Sequence, residues 1–136
     1  MIRGMNWLAI LCAGAAYWVL GYVWYSLLFG KVWAASLREY RGERPASVGG
    51  MAGKMIVTFV ANVVTAVGVA YLLHRAVVTD MTHALKMGAY VAIAFSIMTL
   101  TIAKVWEERP TKLWLIDASY HLLGCVMAAA ILVSWP

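Results

Sequence analysis

Residues 4–30 read GMNWLAILCAGAAYWVLGYVWYSLLFG, 27 consecutive positions without a charged side chain. An α-helix rising ~1.5 Å per residue needs about 20 residues to cross the ~30 Å hydrocarbon core of a bilayer. This run is long enough. It far exceeds the roughly 7–15 apolar residues of a signal peptide. Trp18, Trp24, Tyr25 and Phe29 carry it to its far end, so the run predicts a retained helix.

Three further runs follow. Met55 to Leu73 holds 19 uncharged residues and Met87 to Ala103 holds 17. Leu113 to Pro136 is interrupted only by Asp117 and His121. Over all 136 residues, 64% are hydrophobic and 12% charged. Soluble chains average roughly 45–50% and about 25%. So few charges cannot cover a water-soluble globule. The apolar content excludes disorder, and two cysteines exclude a disulfide scaffold. The sequence predicts an all-α, integral membrane four-helix up-down bundle in one domain, 1–136. Its helices are expected at about 4–30, 53–75, 84–105 and 112–134. A basic loop, 31–52, joins the first two, and the short links beyond it imply antiparallel neighbours.

Charge sets the expected orientation. Lys31, Arg38, Arg41, Arg44, Lys54, Lys104, Arg109 and Lys112 lie on one side, against Arg3, Arg75 and Lys86 on the other. The positive-inside rule then places loops 31–54 and 104–112 in the cytoplasm and both termini outside. Within the first loop, Val32, Trp33, Leu37 and Tyr40 line one side of a short interfacial helix or belong to a solvated linker. Pro45-Ala-Ser-Val-Gly-Gly is a turn-rich break.

Polar side chains gather towards the basic side. Measured from Lys112, Asp117 lies about 7–8 Å into the fourth helix and His121 about 13–14 Å. They are i and i+4 and share a face, which Gly124 and Ala128 continue with small residues suited to helix contact. The same ruler sets Thr58 and Asn62, Thr99 and Ser96, and Tyr25 and Ser26 in this layer. Asn6, Cys12, Tyr17 and Cys125 fall in the outer half. A charged group facing lipid at mid-bilayer costs about 2.5–3.5 kcal/mol on insertion scales, so Asp117 and His121 are expected to face the interior. The partners open to Asp117 are His121, Lys112 and Arg109. The commonest use of such a pair is a hydrogen-bond network that locks packing, and a ligand or proton site is the alternative. A haem or metal site has less support, because His74 and His83 belong to the opposite loop. Trp7, Trp33, Trp106, Trp114 and Trp135 fit interfacial belts, whereas Trp18 and Trp24 sit deeper.

No phosphate loop, dinucleotide fingerprint, HExxH, CxxC or GxSxG is present. No cofactor is implied by motif. Glu107 and Glu108 beside Arg109 read as a surface ion pair. The basic loops lack the extended positive face of nucleic-acid binders, and anionic headgroups account for them.

Two stretches belong together. One is Gly21-Tyr-Val-Trp24-Tyr25-Ser26-Leu-Leu-Phe29-Gly30-Lys31-Val-Trp33. The other is Trp106-Glu107-Glu108-Arg109-Pro110-Thr-Lys112-Leu-Trp-Leu-Ile116-Asp117-Ala-Ser-Tyr120-His121. With Met5-Asn6-Trp7 they resemble the DUF1761 family of small bacterial membrane proteins with four predicted helices. Ser119 stands where many members carry glycine. The resemblance covers nearly the whole chain and implies a bacterial cytoplasmic membrane, but no activity. Both motifs meet at the same layer, which predicts one cluster of Trp24, Tyr25, Asn62, Asp117, Tyr120 and His121, with Arg109 at its edge. The expected function is binding or transport of a small molecule or ion through this cluster, in a homo-oligomer within the lipid bilayer. The alternatives are an accessory subunit of a larger membrane complex and an enzyme acting on a lipid-soluble substrate. In the enzyme, His121 is acid or base and Asp117 orients it.

Overall fold

Asn6 starts the first helix. Its Oδ1 accepts from the Ala9 amide at 3.1 Å, filling one of the four amide positions a helix leaves open at its start. In the computed structural model, which describes residues 4–42 and 50–136, α1 runs Trp7–Tyr22 and continues as a π-helical segment, Val23–Leu28. Arg3 and Arg44 of the charge count, and the expected break over 45–49, lie outside the described residues. Then come α2 (Gly30–Arg41) and α3 (Met51–Arg75). α4 (Met81–Val91) passes through a second π segment, Ala92–Ile97, into α5 (Met98–Glu107), and α6 spans Thr111–Ser134.

Four helical stretches are long and apolar enough to cross a membrane: Trp7–Leu28, Met51–Arg75, Met81–Glu107 and Thr111–Ser134. The first is shorter than its uncharged run, because Gly4 has positive φ and Phe29 leaves helical geometry. The third is longer than expected, at 27 residues. Lys86 and Lys104 lie inside it, near its two ends, where long cationic side chains reach outward while their stems stay on the helix. Asp80 fixes its start by accepting from the His83 amide at 3.0 Å. Glu108, in the left-handed region at φ 53°, ends α5, and Pro110 presets the entry to α6.

α6 is the hub. It packs most closely on α4 and α1, and also reaches α3, α2 and α5. α3 meets α1 closely, but α3 and α4 touch only slightly although they are consecutive. Sequence adjacency thus predicts contact poorly here, because the last helix fills the space between the second and third. Its composition explains this. α6 is apolar around most of its circumference, and such helices are buried. Its small residues Gly124, Ala128 and Ala129 are all buried. At Gly88 of α4, an added Cβ would lie 2.7 Å from the Cys125 carbonyl oxygen, so the two backbones touch. The outward faces are apolar as well: Ile56, Val57, Val60 and Val64 of α3 are each more than half exposed.

Contacts between remote segments mark the two ends. At one, Asn6 Nδ2 donates to the carbonyls of Trp135 (3.4 Å) and Pro136 (3.3 Å), beside a cavity of about 450 Å³ lined by Ile10, Leu73, His74 and Leu132. At the other, the Tyr40 hydroxyl donates to the Glu107 carbonyl at 3.2 Å. The described opening of the first loop is therefore a helix and not a solvated linker. Ser36 is buried, Trp33, Leu37 and Tyr40 are half-buried, and α2 packs on α6. Val32 departs from the expected stripe and is exposed.

Candidate functional site

The first π segment aims two neighbouring side chains at α6. Its wider turn closes when the Phe29 amide donates to the Trp24 carbonyl at 3.0 Å. Trp24 Nε1 then donates to the Ile116 carbonyl at 3.0 Å, and the Tyr25 hydroxyl donates to Asp117 Oδ1 at 2.5 Å. π segments recur at functional sites. The other carboxylate oxygen, Oδ2, faces Arg109 Nη2 at 3.6 Å. The Asp117 side chain is 14% exposed and that of Arg109 27%. Arg109 therefore pairs with Asp117 and not with its neighbours Glu107 and Glu108.

One turn deeper, His121 Nδ1 and the Tyr17 hydroxyl are hydrogen-bonded at 2.6 Å. Asp117 and His121 share a face of α6 yet have different partners. Tyr17 also lies 3.9 Å from Cys125 Sγ. Tyr120 donates to the Tyr17 carbonyl at 3.3 Å and accepts from Asn62 Nδ2 at 3.3 Å, which brings in α3. The rings stack edge-on: Tyr17 and Tyr25 each lie 5.2 Å from Tyr120, and Trp33 of α2 lies 5.4 Å from Tyr25. Tyr17 rests on Gly124, where an added Cβ would lie 2.5 Å from its ring.

The structure brings together Trp24, Tyr25, Asn62, Arg109, Asp117, Tyr120 and His121. Tyr17 belongs with them although its estimated depth sets it in the outer half. Its register was readable: if Tyr25 meets Asp117 across antiparallel helices, eight residues back along α1 reaches the level of Cys125. Thr58 and Thr99 do not join. Their hydroxyls donate to their own helix carbonyls, Lys54 (2.7 Å) and Phe95 (2.6 Å), from exposed positions, and Ser26 is exposed too. Cys12 is exposed and Cys125 buried, and both are free thiols. Among the described residues, no group of three metal-ligating side chains occurs. Trp18 is half-buried, edge-on to Phe59 at 5.9 Å.

The model of DUF1761, described as a protein of unknown function, matches residues 8–133. The chain belongs to the DUF1761 family. No curated protein and no solved structure matches it. The match takes in both motif stretches, so every member of the cluster in this DUF1761 chain lies within the family's own extent.

Proposed function

We propose that this DUF1761 protein is an integral membrane up-down bundle that binds or moves a small molecule or ion through the Asp117/His121 cluster. The observation that carries the reading is the setting of Asp117. It is the only acidic side chain inside the four uncharged runs, and it is largely enclosed between a hydroxyl and a guanidinium near one end of α6. A charge placed there needs compensation that an apolar residue would not. The excess of Lys and Arg in the loops at this end supports a cytoplasmic position for it in a bacterial cytoplasmic membrane, with both termini outside. A homo-oligomer supplies the enclosure that four helices of this size provide poorly alone.

The test is thermal unfolding of purified protein titrated with sodium, potassium, phosphate and acetate. A stabilisation that Asp117→Asn abolishes supports the site. No stabilisation by any of the four, with wild-type flux in Asp117→Asn proteoliposomes, refutes it. A second reading is an accessory subunit, with the cluster as a packing lock. Its support is that, among the described residues, every buried side-chain nitrogen or oxygen has a partner. Co-purification with a larger membrane complex that tolerates Asp117→Asn favours it.

A further inference from the structure

We propose that a second site lies at the opposite end of the bundle, where the cavity between the ends of α1, α3 and α6 takes a single-chain amphiphile with a carboxylate head, of the fatty-acid class. Leu132 in its wall is about 22 Å along α6 from Asp117, at ~1.5 Å per residue. The site goes beyond the Asp117/His121 cluster and rests only on the membrane reading.

Shape is the first argument. The cavity measures about 450 Å³, within the roughly 300–1,000 Å³ of small-molecule sites. Its floor is apolar and buried, with Ile10, Ala70, Leu73 and Leu132. Its mouth is exposed and carries polar groups, on His74, Thr79 and Trp135. Such a floor gains by burying an apolar chain and gains nothing from an ion or a sugar. The wall is held by the protein itself, since Asn6 Nδ2 ties the end of α6 to the start of α1.

The lip is strained. The Val78 amide donates to the Leu73 carbonyl at 3.0 Å, and the Val77 amide to the His74 carbonyl at 3.2 Å. These two bonds close α3 in the pattern that demands a left-handed residue between them, ordinarily glycine. Val77 fills that position at φ 53°, which a β-branched side chain rarely adopts. Glycine would close the helix without strain. Packing within the bundle does not offset the strain, because Val77 is 78% exposed. Its place is at the cavity, which it lines. Strained backbone persists at ligand clamps, and an apolar chain leaving the cavity would cover this valine.

The mouth selects the head. The Trp135 indole N–H can only donate, and the His74 ring and the Thr79 hydroxyl can donate as well. Among the described residues none of these three side chains has a hydrogen-bond partner. Arg75, next to His74, is exposed and in no ion pair among the described residues, whereas the nearby acid Asp80 is engaged by His83 at 2.8 Å. The carbonyls that end α3 and α6 here are largely taken, by the bonds just given and by Asn6, while α1 begins here with its positive dipole end. Donors and an unpaired cation together favour a carboxylate over a neutral or cationic head.

The test is photolabelling of the full-length protein in lipid nanodiscs with a diazirine-bearing palmitic acid, the adducts located by mass spectrometry. Saturable adducts are expected on residues 70–79 and 130–136. Unlabelled palmitate should displace the probe about tenfold more effectively than hexadecanol, the worth of one charge-assisted hydrogen bond. Ala70→Phe, which places a ring in the floor, should abolish saturable labelling. Val77→Gly should melt above wild type and label more weakly. Thr58→Val, towards the other end of α3, should change neither, and near-ultraviolet circular dichroism checks the fold of each variant. Labelling that does not saturate, or that falls outside these segments, overturns the proposal. So does wild-type labelling in a folded Ala70→Phe or Val77→Gly protein, a Val77→Gly protein that melts below wild type, or equal displacement by hexadecanol. None of these results bears on Asp117, whose own test is the ion titration above.

Discussion

Gly124→Ala tests whether α6 truly rests on the Tyr17 ring. The new Cβ would lie 2.5 Å from both Cε1 and Cζ and 2.8 Å from Cδ1, against the ~3.5–4.0 Å at which carbon atoms pack. The ring must retreat by about an ångström. It cannot do so freely, because its hydroxyl is held to His121 at 2.6 Å and its edge meets Tyr120. Overpacking of this kind costs about 1–3 kcal/mol, and loss of a hydrogen bond about 0.5–1.5 kcal/mol more. Alanine regains up to about 1 kcal/mol over glycine within a helix. The net is a destabilisation of about 1–3 kcal/mol. Gly68→Ala is the matched control. Nothing lies within 4 Å of a Cβ built there, so only the helix gain remains. Both variants are measured by thermal unfolding in one detergent. Gly124→Ala should melt below wild type and Gly68→Ala at or above it. A Gly124→Ala protein as stable as Gly68→Ala would refute the α1–α6 packing on which the cluster depends.

Arg109→Gln should weaken the protein by about 1–3 kcal/mol because it leaves a mostly enclosed carboxylate facing a neutral group. The loss should shrink in an Asp117→Asn background, which a double-mutant cycle in detergent unfolding measures. Asp80→Ala should lower the melting temperature at neutral pH. The His83 amide and then its ring, at 2.8 Å, hold the Asp80 carboxyl below the usual carboxylate range. Its contribution is therefore full above the unfolded value of about 3.9 and fades as pH falls through the lower folded one, so variant and wild type should converge in acid. Maleimide added to the detergent-solubilised protein should spare buried Cys125 until the protein unfolds, read by mass spectrometry of the peptides.

The four apolar stretches were legible because hydrocarbon imposes a length that few other constraints do. Their ends were less so. The third helix was expected from about 84, yet it begins at Met81, since a lysine such as Lys86 near a helix end projects its charge away from the apolar segment. The cluster was legible through Asp117 and His121, whose burial demands partners. Tyr17 escaped because depth was judged along one helix at a time, whereas partnership is decided across two. The partner of Asp117 was misjudged in part for a related reason. Arg109 is found, but Tyr25 supplies the shorter contact, and no residue between Val23 and Leu28 announces the widened turn that points it there. The central position of α6 had only a partial signature, the small residues following His121.

Translation runs from the N-terminal side, so the helix that touches all the others is made after them. Until α6 emerges, Tyr17, Tyr25 and Asn62 lack their side-chain hydrogen-bond partners, Gly88 faces no backbone, and the second and third spans have almost nothing to hold them together. Assembly of this bundle thus waits for α6. A ribosome stalled near residue 110 would leave the third span open to protease beside a packed α1–α3 pair, and the arrival of α6 would convert all of them into one protected unit.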